Sequence, residues 1–244
     1  MELRYAIAGL AAVGALWLWQ RYKYRAACQK IVRAMALMRH RSLRKSHYVP
    51  VDTRDPRDHK AQHVFAEVTR DLEGAGFTVL GDLLEQNDDG TIAGVVRWFR
   101  NADGSVCGWF GIATHTPVML LVSESASGEY FVTGRGTPGP SLAHPPNVHR
   151  QIVRWGDGAA AALQHHLALA GAHAGDLRRV ETSDDATGLL ARLWESSATW
   201  RAAQPQAALW EQDLRGILGD RYDQFAPGVR KALPDGFAGA VSGG

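Results

Sequence analysis

The sequence predicts an α+β fold in which an N-terminal transmembrane helix is followed by an antiparallel β-meander packed with helices and by a C-terminal helical region. Three observations support this prediction. An uncharged apolar run opens the chain, short runs rich in β-branched and aromatic residues fill its middle, and apolar residues recur at helical spacing in its last third. With 244 residues, 45% hydrophobic and 21% charged, the chain is long enough to bury a sizeable core.

Residues 1–20 are predicted to form a membrane anchor. The run from Tyr5 to Trp19 carries no charge and is somewhat shorter than the ~20 residues that a transmembrane helix needs. Aromatic rings cluster at its C-terminal end, where they favour the headgroup level. The residues expected at the membrane interface are Trp17, Trp19, Arg21, Tyr22, Lys23, Tyr24 and Arg25. The alternatives are a helix buried in a partner protein, an ordinary core helix and a cleaved signal peptide. Cleavage is disfavoured because bulky basic residues follow the apolar run.

The charge that follows the anchor predicts its orientation. Nine basic residues lie within 21–45, and no Asp or Glu occurs from Leu3 to Val51. Because Lys and Arg beside a span stay on the cytoplasmic side, we expect a single-pass protein of the cell membrane with a cytoplasmic C-terminal domain. Helical spacing predicts a basic juxtamembrane helix over 21–45 that continues to about Arg41, its basic face against anionic headgroups. Nucleic-acid binding is the alternative for this run, but a formal net charge of only +2 gives no reason to expect nucleic acid as a partner.

The folded part of the chain is predicted to begin after a proline-containing linker at 46–57. An α+β domain over 58–156 opens with an amphipathic helix at 58–75. Five predicted strands follow, at 77–85, 91–100, 105–114, 118–123 and 130–133. The turn sequences at 88–90 and 102–104 each end in Asp-Gly, so the first three strands should form consecutive antiparallel hairpins. The helix should cover one face of this sheet and leave the other partly exposed.

Five aromatic residues of this domain are expected to be core, the alternative being an aromatic ligand surface on the sheet. These residues are Trp98, Phe99, Trp109, Phe110 and Trp155.

A helical region is predicted over 157–236, with a flexible tail at 237–244. Before it, the Gly- and Pro-rich residues 134–146 form an irregular loop, and a short extended segment returns at 151–155. Asp157 is expected to cap a helix that ends near Ala170, and two more helices should cover 183–204 and 206–218. Their apolar faces need the sheet, an opposing helix or a partner to cover them. The candidate partner-binding residues are Leu190, Leu193, Trp194, Trp200 and Trp210.

No pattern of residues predicts a catalytic group, a cofactor or a metal. Gly134, Gly136 and Gly139 match G-x-G-x-x-G, but prolines prevent the helix that the dinucleotide fingerprint requires. His59 and His63 have the spacing of two metal ligands on a helix, yet the glutamate of H-E-x-x-H is missing.

The serines around one predicted turn also lack a catalytic context. Ser123, Ser125 and Ser127 have no G-x-S-x-G elbow. The flanking Glu124 and Glu129 are interpreted as an exposed hairpin end instead of a catalytic carboxylate pair.

The function predicted from these patterns is that of a membrane-tethered noncatalytic protein-binding module, such as an accessory subunit of a membrane complex. Its expected partners are the lipid bilayer and another membrane or cytoplasmic protein. Cys28 and Cys107 are the only cysteines and are expected to be reduced thiols. A membrane-anchored enzyme, or a small-ligand-binding domain with a pocket near 134–146, is the alternative.

Overall fold

The computed structural model describes residues 2–43, 47–50, 59–86, 90–113, 116–136 and 142–233. The helices are α1 (Glu2–Leu43), α2 (His59–Gly74), α3 (Gly158–Ala170), α4 (Ser183–Ala203), α5 (Gln206–Leu218) and α6 (Tyr222–Ala232). The strands are β1 (His47–Pro50), β2 (Phe77–Gln86), β3 (Ile92–Asn101), β4 (Cys107–Ala113), β5 (Thr116–Glu124), β6 (Tyr130–Arg135) and β7 (Val148–Val153). The α+β class is therefore confirmed.

The chain divides into two compact units. Unit 1 comprises Met1–Ser42, Pro140–Ala143 and Gln204–Gly244, and unit 2 comprises Leu43–Gly139 and His144–Ala203. Helices α2, α3 and α4 thus belong to the unit that holds the sheet, whereas α1, α5 and α6 form the helical unit.

Unit 2 is built on a seven-stranded sheet whose strand order follows the chain. Strands β1 to β6 are antiparallel neighbours, which confirms the predicted meander, but β7 pairs parallel with β6 and makes the sheet mixed. The expectation that residues 46–57 form only a linker is wrong, because His47–Pro50 pairs with β2 as an edge strand. Proline is compatible with this position, since an edge strand leaves some backbone N–H groups without a ladder partner.

Both faces of the sheet are covered by helices. On one face, α2 and α3 pack against a cluster that includes Phe99 and Phe110, both 0% exposed. On the other face, α4 packs against a cluster that includes Trp98, also 0% exposed. Neighbouring residues of β3 therefore point into different cores, as the two-residue period of a strand requires. The expectation of a partly exposed second face is wrong, while the core assignment of these three aromatic residues is confirmed.

The N-terminus of α3 is capped by a residue from another helix. The carboxylate of Asp71 in α2 accepts hydrogen bonds from the backbone N–H of Ala159, with both oxygens 3.1 Å from the nitrogen. Arg135 donates to the same carboxylate at 2.6 Å, and its own side chain is only 4% exposed. The predicted cap, Asp157, makes no capping hydrogen bond through its side chain. Asp71 thus links two helices and a strand where a local cap was expected.

In unit 1, the second half of α1 packs against α5 and α6. Cys28 and Met35 of α1 are 1% and 0% exposed and lie in one cluster with Leu214 and Val229. Their seven-residue spacing places them on the same face of α1. The prediction that the helix continues to about Arg41 is confirmed, because α1 ends at Leu43.

Helices α1 and α6 approach closely at Gly228. A Cβ atom at this position would lie 2.6 Å from the Tyr24 ring and hydroxyl and 2.7 Å from the Cys28 sulfur. The absence of a side chain is therefore what allows this contact. Helix α6 also contains Pro227, which breaks the regular helical signal in the sequence and explains why no separate helix was predicted there.

Replacing Asp71 by Ala should lower the free energy of unfolding by about 3 to 5 kcal/mol, because the buried guanidinium of Arg135 loses its charged partner and α3 loses its cap. Asp157→Ala is the matched control and should change this free energy by less than about 0.5 kcal/mol. Chemical denaturation of both variants measures the difference. Equal effects of the two substitutions would contradict the assignment of the cap to Asp71.

Replacing Gly228 by Ala should force α1 and α6 apart, at a cost of about 1 to 3 kcal/mol for overpacking. Cys28 should then react faster with a thiol reagent, while the buried Cys107 of unit 2 serves as an internal reference. Gly74→Ala is the matched control, since a Cβ atom there meets nothing within 4 Å. If Cys28 stays as unreactive as in the wild type, the close approach does not depend on Gly228.

Candidate functional site

The strongest exposed feature of unit 1 is an apolar collar on α1, formed by residues 16–19. Leu16, Trp17, Leu18 and Trp19 are 54%, 56%, 60% and 52% exposed. Successive helical residues are rotated by ~100°, so these four side chains point in four different directions around the axis. The helix is thus apolar on all sides at this level, which is unusual for a helix that packs only on its own protein.

Cations follow the collar directly. The guanidinium of Arg21 lies 5.1 Å from the centre of the Trp17 ring, and the ammonium of Lys23 lies 3.8 Å from that of Trp19. Tyr22 is 72% exposed. The residues predicted for a membrane interface therefore form a compact aromatic and cationic band. Among the residues that the structure describes, no helix meets the length and apolarity needed to cross a bilayer.

A basic pocket opens beyond the collar, between α1 and α6. It has a volume of about 430 Å³, and Arg21, Arg25 and Lys231 line it. Tyr24 and Cys28 also face it. The Tyr24 hydroxyl donates to the carbonyl of Gln224 at 2.9 Å. Burial raises the pKa of the Cys28 thiol, which keeps it neutral at physiological pH.

Three of the four candidate partner-binding residues of α4 pack on the chain's own sheet, namely Leu190, Leu193 and Trp194. Leu190 and Leu193 are 1% and 7% exposed, within the core beneath α4. Trp194 is half-buried and stacks on Tyr48 of β1, with 6.2 Å between ring centres. Trp200 is half-buried near the end of α4. The sheet thus covers the apolar face for which a partner was one of the alternatives.

Trp210 is the candidate partner-binding residue of α5, and it packs inside unit 1. It is 8% exposed, and the Arg39 guanidinium lies 5.3 Å from its ring centre. Arg39 also pairs with the buried carboxylate of Asp213 at 3.5 Å, and the backbone N–H of Ala143 donates to that carboxylate at 2.8 Å. Packing within the chain explains the apolar character of Trp210 without a partner.

A buried serine and histidine in unit 2 have the separation of a catalytic dyad. Ser123 Oγ of β5 lies 2.9 Å from Nε2 of His166 in α3, and both residues are at most 1% exposed. Thr133 Oγ1 of β6 lies 3.0 Å from Nδ1 of the same imidazole. The turn predicted as an exposed hairpin end is exposed at Ala126 and Ser127, whereas Ser123, Glu124 and Ser125 before it are buried.

The hydrogen-bond directions in this group are incompatible with an activated nucleophile. Ser123 Oγ donates its proton to the carbonyl of Ser105 at 2.8 Å. Ser123 must therefore accept from Nε2–H of His166, and the opposite ring nitrogen accepts from the hydroxyl of Thr133. Gln151 completes the chain by donating to Thr133 Oγ1 at 3.0 Å. A nucleophilic serine requires the reverse polarity, with its proton directed to the imidazole.

Glu124 lies at the edge of a cleft of about 440 Å³ in unit 2. Its carboxylate is 4% exposed and accepts two hydrogen bonds from Arg192, at 2.6 and 2.9 Å. Arg178 lies 3.6 Å away, and the Tyr130 hydroxyl donates at 3.5 Å. Two guanidinium groups thus neutralise the buried carboxylate of Glu124. This arrangement is typical of a structural ion-pair network.

The remaining candidate sites do not assemble into a centre within the described residues. No group of three potential metal ligands is found there. Gly134 lies within β6 and Gly136 directly follows this strand, but Gly139 and its neighbours at 137–141 of the expected pocket loop lie outside the described residues. His149 pairs with Glu129 at 2.8 Å.

Comparison with known proteins gives no match: no family model, no curated protein and no solved structure is significantly similar to the chain.

The buried imidazole should make stability depend on pH. Burial lowers the pKa of His166 from 6.5 to about 4. Between these values the unfolded state binds a proton that the folded state does not, so the free energy of unfolding should fall as the pH falls from 6.5 to 4, by about 3 kcal/mol in total. His166→Gln should remove this contribution, whereas His165→Gln, at an exposed neighbouring position, should retain it.

Nuclear magnetic resonance of the wild-type chain provides a measurement that does not depend on a folded variant. The His166 ring should remain neutral and protonated at Nε2 down to about pH 5. Titration near pH 6.5, together with labelling of Ser123 by a fluorophosphonate, would show instead an accessible and reactive dyad.

Proposed function

We propose that this protein is a noncatalytic module that α1 tethers to a membrane, where it holds another protein at the bilayer surface. The observation that carries this proposal is the apolar collar of residues 16–19, which is exposed on every side of the helix. Water-exposed apolar surface of this kind is expected to be covered in the working protein.

A bilayer fits the collar better than a single protein partner does. A helix that packs on another protein buries one stripe, whereas lipid surrounds a helix on all sides. Tryptophan and tyrosine also favour the boundary between hydrocarbon and headgroups, and Trp17, Trp19 and Tyr22 lie together at one end of the uncharged run. This sequence order supports a collar placed at the edge of the hydrocarbon layer.

The distribution of charge supports a cytoplasmic unit 2. Arg21, Lys23 and Arg25 follow the collar, and the basic residues after the apolar run greatly outnumber the single Arg4 before it. Such an asymmetry retains the following chain on the cytoplasmic side.

The interior of unit 2 supports a binding role over a catalytic one. Several of its polar side chains are engaged with one another, as in the pairs Ser123–His166 and Glu124–Arg192. Groups whose hydrogen bonds are satisfied within the protein stabilise the fold and are poorly available to a substrate. A tethered domain of this kind fits an accessory protein of a membrane complex.

Replacing Leu16 and Leu18 together by Glu in the full chain should release the protein from membranes. Two carboxylates at lipid-exposed positions cost on the order of several kcal/mol, so the membrane-bound fraction should fall by about 100-fold or more. Fractionation of cells after a carbonate wash measures this.

Ile92→Glu combined with Ile152→Glu is the matched control, because these residues of unit 2 are 58% and 45% exposed and outside α1. The control should remain with the membrane. Release of both variants, or of neither, would contradict anchoring by the collar.

Purification of the wild type from a mild-detergent extract of the same cells tests the proposed protein partner. A stoichiometric protein should co-purify, and its absence would contradict the proposed binding of another protein.

A further inference from the structure

The basic pocket between α1 and α6 combines three cations with a neutral floor. We propose that it binds the phosphate group of an anionic phospholipid headgroup. The lipid origin of the phosphate rests on the membrane tether proposed above, whereas the affinity for phosphate rests on the pocket alone.

The cations of the pocket are not neutralised by any carboxylate in the part of the chain that the structure describes. Among the described residues, no carboxylate forms an ion pair with Arg21, Arg25 or Lys231. The neighbouring Arg230, by contrast, pairs with Glu211 at 2.8 Å. Three cations around one cavity create a positive potential that an anion relieves.

The floor of the pocket adds no negative charge. Burial raises the pKa of both Tyr24 and Cys28, so the phenol and the thiol remain neutral at physiological pH. The Tyr24 proton is already donated to Gln224, which leaves the guanidinium and ammonium groups as donors for a phosphate oxygen. Arginine and lysine are the side chains best suited to this role.

The pocket lies at the level where phosphate groups would be found. Arg21 and Arg25 are four residues apart and share one face of α1. Arg25 follows Trp19 by six residues, which is roughly 9 Å along the helix axis. If the collar marks the edge of the hydrocarbon layer, this distance places the pocket among the headgroups.

Arg21 connects the pocket to the collar. It lines the cavity and also contacts the Trp17 ring at 5.1 Å. A phospholipid can therefore place its chains beside the collar and its phosphate in the pocket, whereas free phosphate would use the second contact alone. This continuity favours a lipid over a soluble phosphate compound.

The test uses the full chain purified in a nonionic detergent, titrated with short-chain phosphatidylglycerol, short-chain phosphatidylcholine, glycerol phosphate or inorganic phosphate. Binding is followed by native mass spectrometry and by the shift of the thermal unfolding midpoint. Phosphatidylglycerol should bind at least about tenfold more tightly than phosphatidylcholine, since its headgroup carries a net negative charge. Inorganic phosphate should bind more weakly than phosphatidylglycerol.

Two variants with the same change in net charge separate a pocket from general attraction. Arg25→Gln with Lys231→Gln removes two pocket cations and should weaken phosphatidylglycerol binding by about tenfold or more, at roughly fivefold for each cation. Lys30→Gln with Arg33→Gln removes two exposed cations of α1 that do not line the pocket, and it should change binding by less than about threefold.

Equal losses in both variants, or no preference for phosphatidylglycerol over phosphatidylcholine, would overturn the proposal. Inorganic phosphate that binds as tightly as phosphatidylglycerol would overturn the lipid assignment and retain a phosphate site. Sedimentation of the wild-type chain with vesicles of pure phosphatidylcholine tests the membrane tether separately from the pocket. Selective phosphatidylglycerol binding in detergent without binding to those vesicles would contradict the tether and leave the pocket intact.

Discussion

Coverage of the central sheet on both faces is the constraint on which the structure of unit 2 depends. A sheet with one wet face can leave polar side chains in water, but here α2 and α3 cover one face and α4 covers the other. Polar groups carried inward are therefore stabilised by partners within the protein. Arg97 pairs with Asp82, Arg135 with Asp71, and Ser123 with His166. The pairs Arg135–Asp71 and Ser123–His166 each join a strand to a helix, whereas Arg97–Asp82 joins the neighbouring strands β3 and β2.

The same constraint bears on function. Ser123 and His166 show that a catalytic distance between two residues is insufficient, because the serine proton is directed to the carbonyl of Ser105. In unit 1, a single helix has both a covered and an exposed apolar surface. The face of α1 that carries Cys28 and Met35 is covered by α5 and α6, whereas the collar at residues 16–19 is exposed all around. Among the described residues, the exposed apolar surface that often indicates a binding site is thus found mainly on α1.

Local patterns predicted much of the fold. Strands β2 to β6 and helices α2 to α5 follow from short-range periodicity and from turn residues such as Gly104, whose φ of 74° suits glycine. Features that depend on distant residues were missed. The cap of α3 comes from Asp71, 88 residues before its partner Ala159, and the burial of His166 depends on two strands distant in sequence. Strand β1 and helix α6 were not predicted because each contains a proline, Pro50 and Pro227, which interrupts the local pattern of a strand or helix.

The packing of α6 on α1 connects the stability of unit 1 with the basic pocket. Gly228 permits the close approach, and Lys231, one helical turn later, lies on the same face of α6. The contact that buries Cys28 therefore also brings Lys231 to the cavity that Arg21 and Arg25 line. Like charges gathered around one cavity repel each other and oppose this packing. An anion in the cavity removes that repulsion, and a ligand that binds only the packed arrangement stabilises it by mass action. The proposed headgroup binding would therefore stabilise the docking of α6 on α1.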